Sequence, residues 1–141
     1  MTESKVTIAA RWALGLLFGV FGVNGFLHFL PMPAPEGAAG AFMGALAASG
    51  YMFPLIKGTE VVAALLLLSG RWPALALLLL APIVVNIVAF HAVLAPAGLP
   101  MGLVALGLGS FLARQYWPAF RGVFQTAERR SPAPKTVSAH G

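Results

Sequence analysis

The sequence predicts an all-α integral membrane protein, a four-helix bundle with a short interfacial or re-entrant helix between its first and second spanning helices. Of its 141 residues, 59% are hydrophobic and only 9% are charged, whereas soluble domains carry roughly 25% charged residues. Four apolar runs are long enough, at about 1.5 Å per residue, to cross or nearly cross a hydrocarbon core of about 30 Å. We expect helices near residues 8–30, 53–69, 73–94 and 99–116, forming one transmembrane domain over residues 1–125.

Positive charges are unevenly distributed over the predicted loops. The net charge is +5, and one side of the bundle receives Lys5, Arg11, Arg71, Arg114, Arg121, Arg129, Arg130 and Lys135. The opposite loops hold only Glu36 as a full charge. This asymmetry follows the positive-inside rule, so it predicts a multi-pass protein of the cell inner (cytoplasmic) membrane with both termini in the cytoplasm and no nucleic-acid partner. Residues 126–141, rich in Ala, Pro, Ser and charge, are expected to form a disordered basic cytoplasmic tail.

The first helix carries two different faces. Gly15, Gly19 and Gly22 follow one another at spacings of four and three residues, which places them on one face and allows another backbone to approach closely. That backbone belongs either to a neighbouring helix of the same chain or to a second copy in a homodimer. Asn24 and His28 lie on roughly the opposite face, because each residue advances about 100° around the helix.

The next two elements differ strongly in hydrophobicity. Prolines at positions 31, 33 and 35 end the first helix, and residues 36–50 are too weakly hydrophobic to span, which favours an interfacial or re-entrant helix. The second spanning helix carries Lys57 and Glu60, three residues apart and therefore adjacent on one face. Each costs about 3 kcal/mol if it is inserted centrally without a partner, so we expect the two side chains to pair.

The third spanning helix places a proline, an amide and an imidazole in one apolar run, at Pro82, Asn86 and His91. Asn86 and His91 are about 140° apart on an ideal helix. Both therefore point into the bundle only if Pro82 kinks the helix or if its outer end frays. The fourth helix has no charge before Arg114 and several small residues, which is typical of a packing helix.

Six polar side chains from three helices fall in the same, outer half of the bundle. They are Asn24, His28, Lys57, Glu60, Asn86 and His91. Measured by helical rise, they occupy one layer within roughly 6 Å of the outer boundary and a second layer about 9 to 10 Å deep. Polar side chains at membrane depth usually face a bundle interior or a wet cavity. We therefore predict that these residues form an outer-leaflet polar pocket.

Several of these motifs resemble those of the DoxX family of small membrane proteins. The resemblance rests on Leu-Gly-x-x-Phe and Asn24-Gly-Phe-Leu-His28-Phe, on Ser49-Gly-Tyr-x-x-Pro-Leu-Ile-Lys57-x-x-Glu60, on Leu65-Leu-Leu-Leu, and on Ala81-Pro-Ile-x-Val-Asn86-Ile-x-x-Phe-His91. It covers roughly residues 8–125. It implies a four-helix bundle and a link to membrane oxidoreductase assemblies or, in the related DoxD branch, to a thiosulfate:quinone oxidoreductase. The resemblance supplies no catalytic residue set.

Four functions are compatible with these residues. The first is an accessory subunit of a membrane redox system with a bound quinone or other small lipophile, in which Lys57 or His28 and His91 donate to the quinone oxygens and Glu60 exchanges protons. The chain contains no cysteine, so any redox role must use a borrowed cofactor and the chain is not expected to be an enzyme alone. The others are a scaffold with a structural polar network, a small-solute or proton permeation protein, and a metal site of His28, Glu60 and His91 that lacks a ligand-spacing motif.

Overall fold

Four long apolar helices form the structure, a computed structural model of the chain that describes residues 3–123. They are α1 (Lys5–Leu27), α3 (Met52–Ser69), α4 (Pro73–Val93) and α5 (Leu99–Gln115). Each is long and apolar enough to cross a membrane, the last together with the preceding 3₁₀ turn Pro96–Gly98. The described residues also include the shorter helices α2 (Gly37–Ala48) and α6 (Trp117–Phe120), and they contain no strand. The predicted all-helical architecture is therefore confirmed for these residues, and the four long apolar helices are compatible with a membrane bundle.

The four long helices pack as a closed ring around one core. Helix α1 packs most extensively against α3, α3 against α4, α4 against α5, and α5 returns to α1. Each helix contributes one leucine that is almost completely inaccessible: Leu14, Leu67, Leu80 and Leu112. Since lipid tails are as apolar as leucine, close packing rather than exclusion of water holds such helices together. Many large apolar side chains on the outer surface remain exposed, as a lipid-facing surface requires.

Helix α1 lies three residues earlier in the chain than its predicted span. Its start is set by Ser4, whose side-chain oxygen accepts a hydrogen bond of 3.1 Å from the backbone N–H of Thr7, as in an N-cap. Its end is set by His28, which adopts a left-handed conformation with φ of 51°. The other predicted spans agree with the observed helices to within one residue at each end, and α4 continues through Pro82.

The glycine face of α1 is occupied within the chain. A Cβ atom added at Gly15 would lie 2.9 Å from the Leu68 side chain, and one at Gly22 would lie 3.0 Å from Val61. A Cβ at Gly19 would meet Ala64 at 3.5 Å. All three neighbours belong to α3, so the glycines let α1 and α3 approach closely. Gly15, Gly19 and Gly22 therefore face a neighbouring helix of the same chain, and a homodimer contact through these residues stays a prediction.

The segment between the first two spanning helices is helical, as expected from residues 36–50. In α2 only Ala39 is buried. The Phe42 ring lies 5.6 Å from that of Phe90 near the C-terminus of α4, measured between centroids, and this contact holds α2 against that end of the bundle. Its interfacial or re-entrant position stays a prediction. The tail predicted for residues 126–141 lies outside the described part of the chain.

Candidate functional site

Lys57 and Glu60 form an ion pair on α3. The ammonium nitrogen of Lys57 lies 3.1 and 2.9 Å from the two carboxylate oxygens of Glu60. Glu60 is only 2% exposed, while the Lys57 side chain keeps 19% of its accessible surface. The ammonium also lies 5.8 Å from the centroid of the Phe53 ring, within the range of a cation–π contact. The pairing expected from the three-residue spacing is present.

The ion pair is packed against α1 rather than aimed into a cavity. A Cβ added at Gly25 would lie 2.5 Å from Cγ of Lys57, and one at Gly22 would lie 3.1 Å from Cβ of Glu60. The absence of side chains at these two positions creates a slot into which the stems of Lys57 and Glu60 fit. Gly25 thus extends the glycine face of α1 by about one turn toward the C-terminus of the helix.

Asn24 is buried, at 6% exposure, but its partners are in the following loop rather than on another helix. Its Oδ1 accepts a 2.6 Å hydrogen bond from the backbone N–H of Leu30, and its Nδ2 donates to the Leu30 carbonyl at 3.3 Å. Both hydrogen-bonding groups of the amide are therefore used to fold residues 28–30 back onto α1. We call this arrangement the Asn24 clamp. The left-handed backbone of exposed His28 makes the required turn.

The two predicted residues of α4 point in different directions. Asn86 is exposed, because it follows the buried Val84 by two residues, or about 200° of rotation. His91 is half-buried, and its Nδ1 donates to the carbonyl of Ala95 at 3.0 Å, since a carbonyl oxygen can only accept. Its imidazole occupies the space that a side chain at Gly98 would need. His91 therefore shapes the turn between α4 and α5.

The six predicted residues thus do not form one pocket. Lys57 and Glu60 contact each other, while Asn24 and His91 each bind the backbone of the loop that follows their own helix. His28 and Asn86 are exposed. Within residues 3–123, no group of three or more His, Asp or Glu side chains is arranged to hold a metal ion. The role of the six as ligand-binding residues stays a prediction.

A second polar network, which the sequence did not predict, lies at the opposite end of the bundle. Arg11 is buried, at 7% exposure, and Nη1 donates to the carbonyls of Leu67 and, at 3.4 Å, of Leu68 at the end of α3. Its Nη2 lies 3.4 Å from Oε2 of Glu3. A cation at the carboxyl end of a helix is favourable because unpaired carbonyls collect there. In the sequence, the only indication of this network is the position of Arg11 two turns inside an apolar helix.

Tyr116 completes this second network. Its hydroxyl donates to Oε1 of Glu3 at 2.5 Å, so the N-terminal segment, the end of α3 and the end of α5 are joined through Glu3 and Arg11. Partial burial, together with the hydrogen bond to Glu3 and the charge of Glu3, raises the pKa of Tyr116 to about 12. Gly70 leaves room for the guanidinium, since a Cβ there would lie 2.7 Å from Nη1 of Arg11.

Two open apolar grooves lie on the outer surface of the bundle. One, of about 350 Å³, runs between α1 and α3 and is lined by Leu16, Gly19, Val20, Val23, Phe29, Val61, Ala64, Leu65 and Leu68. The other, of about 340 Å³, runs between α3 and α4 and includes Gly58, Thr59 and Leu79. Neither is lined by any of the six predicted pocket residues.

Comparison of the chain with protein-family models, with curated proteins and with solved structures finds no match. The resemblance to DoxX proteins therefore remains an expectation drawn from the motifs. Any functional assignment has to be argued from the arrangement of the residues themselves.

Proposed function

We propose that the chain is a non-catalytic scaffold or accessory subunit of a membrane assembly, placed in the inner membrane with both termini in the cytoplasm. One observation carries the proposal: the buried polar side chains of the outer half are satisfied by neighbours on their own helix or in the next loop. Asn24 uses both ends of its amide on Leu30, and Glu60 receives two hydrogen bonds from Lys57. Groups used in this way stabilise a fold and are not poised to react.

The resemblance to DoxX proteins suggests that the assembly is a membrane redox system. In this proposal the chain contributes lipid-facing surface and helix ends for a partner protein to contact, while the partner holds the redox cofactor. The absence of cysteine agrees with such a division, since the chain supplies no thiol chemistry of its own. The surface helix α2, of which only Ala39 is buried, offers a partner an accessible face on the outer side.

Quinone binding and permeation receive less support from the geometry. A quinone held at both oxygens needs two convergent donors, but His91 already donates to Ala95 and His28 is exposed. For permeation, a polar path is required through the inner half of the bundle. The core there is occupied by apolar side chains, Leu14, Leu67 and Leu112 among them, while Arg11 is bound to helix-end carbonyls.

A double-mutant cycle on the ion pair tests the proposal. Lys57→Met, Glu60→Gln and the double variant are purified in detergent, and their free energies of unfolding are compared. If the pair is structural, each single variant leaves one polar partner unmatched, so we expect a coupling energy of about 1–3 kcal/mol. Copurifying quinone is measured in the same samples by mass spectrometry and should be absent or equal in all of them. Additive effects on stability, with a near-stoichiometric quinone lost only from the variants, would instead support the quinone-binding accessory subunit.

A further inference from the structure

We infer that the groove between α1 and α3 binds one hydrocarbon chain of a membrane phospholipid. The groove runs from Leu16 to Val23 on α1 and from Val61 to Leu68 on α3, or about 10 Å along each helix at 1.5 Å per residue. This stretch lies within two helices that are long and apolar enough to span a membrane. The inference rests on the proposed membrane position, in which this stretch faces the acyl region of the bilayer. No charged residue lines it, so its occupant must be apolar.

The base of the groove is formed by small residues. Gly19 on α1 has no side chain, and the only atom that a Cβ there would meet within 4 Å is Cβ of Ala64 on α3, at 3.5 Å. Larger residues stand on both sides of these two positions, including exposed Leu16, Val20 and Leu65. The groove therefore has a base of two small residues and walls of branched aliphatic side chains.

Phe29 also lines the groove, although it lies beyond the end of α1. It joins groove residues from the middle of the helix, because the chain turns back at His28. The Asn24 clamp holds that turn by binding both backbone groups of Leu30. Asn24 is therefore a positioning residue, because its hydrogen bonds to Leu30 hold the loop that carries Phe29 against the groove.

The shape of the groove favours a lipid chain over a second protein helix. A helix is about 10 Å wide and straight. A second protein helix that filled the groove would therefore have to extend past Phe29. A contact of two helical turns is also small beside the roughly 800 Å² per partner of a standard stable interface. A hydrocarbon chain is thin and bends around such a wall.

Two glycines provide a matched pair of variants. Gly19→Leu fills the base of the α1/α3 groove, whereas Gly58→Leu fills the α3/α4 groove, where an added Cβ meets nothing within 4 Å. Both changes place the same side chain in a helix interior on the lipid-facing surface. Leu65→Ala removes one wall of the first groove from an exposed position and gives a second test if Gly19→Leu folds poorly.

The experiment is native mass spectrometry of the full chain reconstituted with phosphatidylglycerol or phosphatidylcholine and then released into detergent. We expect one phospholipid to stay bound to the wild type and to Gly58→Leu, with either headgroup, since the groove carries no charge. In Gly19→Leu and Leu65→Ala the bound fraction should fall to roughly a tenth or less. No retained lipid in the wild type, or equal retention in all variants, would overturn the inference. If only phosphatidylglycerol is retained and Gly19→Leu does not change its retention, the lipid binds at the basic cytoplasmic end instead. If the wild type is a dimer and Gly19→Leu is a monomer, the groove binds a second copy of the chain.

Discussion

The guanidinium of Arg11 donates to the backbone carbonyl of Leu67, 56 positions further along the chain. This hydrogen bond joins the first turns of α1 to the last turn of α3, where backbone carbonyls have no partner within the helix. The same guanidinium reaches the carboxylate of Glu3. Arg11 therefore acts as a side-chain cap for a helix other than its own, at the end of the bundle opposite the Lys57–Glu60 pair.

Replacing Arg11 with Met should destabilise the bundle by about 2–3 kcal/mol, because buried hydrogen bonds from a charged donor are lost and the carbonyls of Leu67 and Leu68 are left without their partner. Unfolding in mixed detergent, followed by tryptophan fluorescence, measures the change. The matched control is Arg71→Met. Arg71 is exposed and rests on the Trp72 ring, so its loss should change stability by no more than about 0.5 kcal/mol. Equal effects of the two variants would contradict the capping role.

The different outcomes for Arg11 and the ion pair show where sequence reasoning succeeds. The Lys57–Glu60 contact is local, since a spacing of three residues on one helix fixes it, and it could be predicted. The partners of Arg11 come from a distant helix end and from Glu3, and Tyr116 is 113 positions from Glu3. A hydropathy pattern does not show that the last turn of α3 lies beside the second turn of α1. The sequence therefore identified Arg11 only as a cation near a membrane boundary.

Asn86 and Asn24 illustrate a second limit. Both were assigned to one polar pocket from their depth in the membrane, which is a property of helical rise alone. Depth does not determine direction: Asn86 lies about 200° from the buried Val84 and is exposed, and Asn24 is buried against a loop whose path the prolines do not specify. The helix spans were predictable because apolar length determines them, whereas the convergence of side chains depends on rotation and loop geometry.

Gly25→Ala should destabilise the bundle by about 1–3 kcal/mol, because the new Cβ would lie 2.5 Å from Cγ of Lys57 and force the lysine stem out of its slot. Gly58→Ala on α3 serves as the control, since its Cβ meets nothing within 4 Å. This control should be neutral or more stable by up to about 1 kcal/mol, through better helix propensity. Thermal unfolding in detergent compares them. If Gly25→Ala matches Gly58→Ala, the glycine slot does not constrain the ion pair.

Tyr116 should make stability fall at high pH. Its pKa is about 12 in the folded chain, against an ordinary value of about 10, so the folded state binds the phenolic proton more tightly than the unfolded state does. The associated stability is present below pH about 10 and is lost as the pH rises from about 10 to about 12. Tyr116→Phe should remove this part of the pH dependence.

Ultraviolet absorbance of tyrosinate measures the same property directly. The wild type should show an ionisation near pH 12 that is missing in Tyr116→Phe. Glu3→Gln should move it to lower pH, because the negative charge of Glu3 and its hydrogen bond both oppose loss of the proton. A Tyr116 step that is unchanged by Glu3→Gln would show that burial alone raises the pKa.

The proposed orientation in the membrane can be tested with single cysteines, because the chain has none of its own. Lys5, Arg71, Arg114 and Arg121 lie at one end of the described bundle, and Glu36 lies in the exposed segment before α2 at the other. The positive-inside rule places the basic end in the cytoplasm.

Glu36→Cys and Gly122→Cys introduce exposed thiols on opposite sides without removing a positive charge. In intact cells a membrane-impermeant maleimide should label Glu36→Cys alone, and Gly122→Cys should react only after the membrane is permeabilised. Labelling of Gly122→Cys in intact cells, with Glu36→Cys protected, would show the opposite orientation, with the Arg11 network at the outer face.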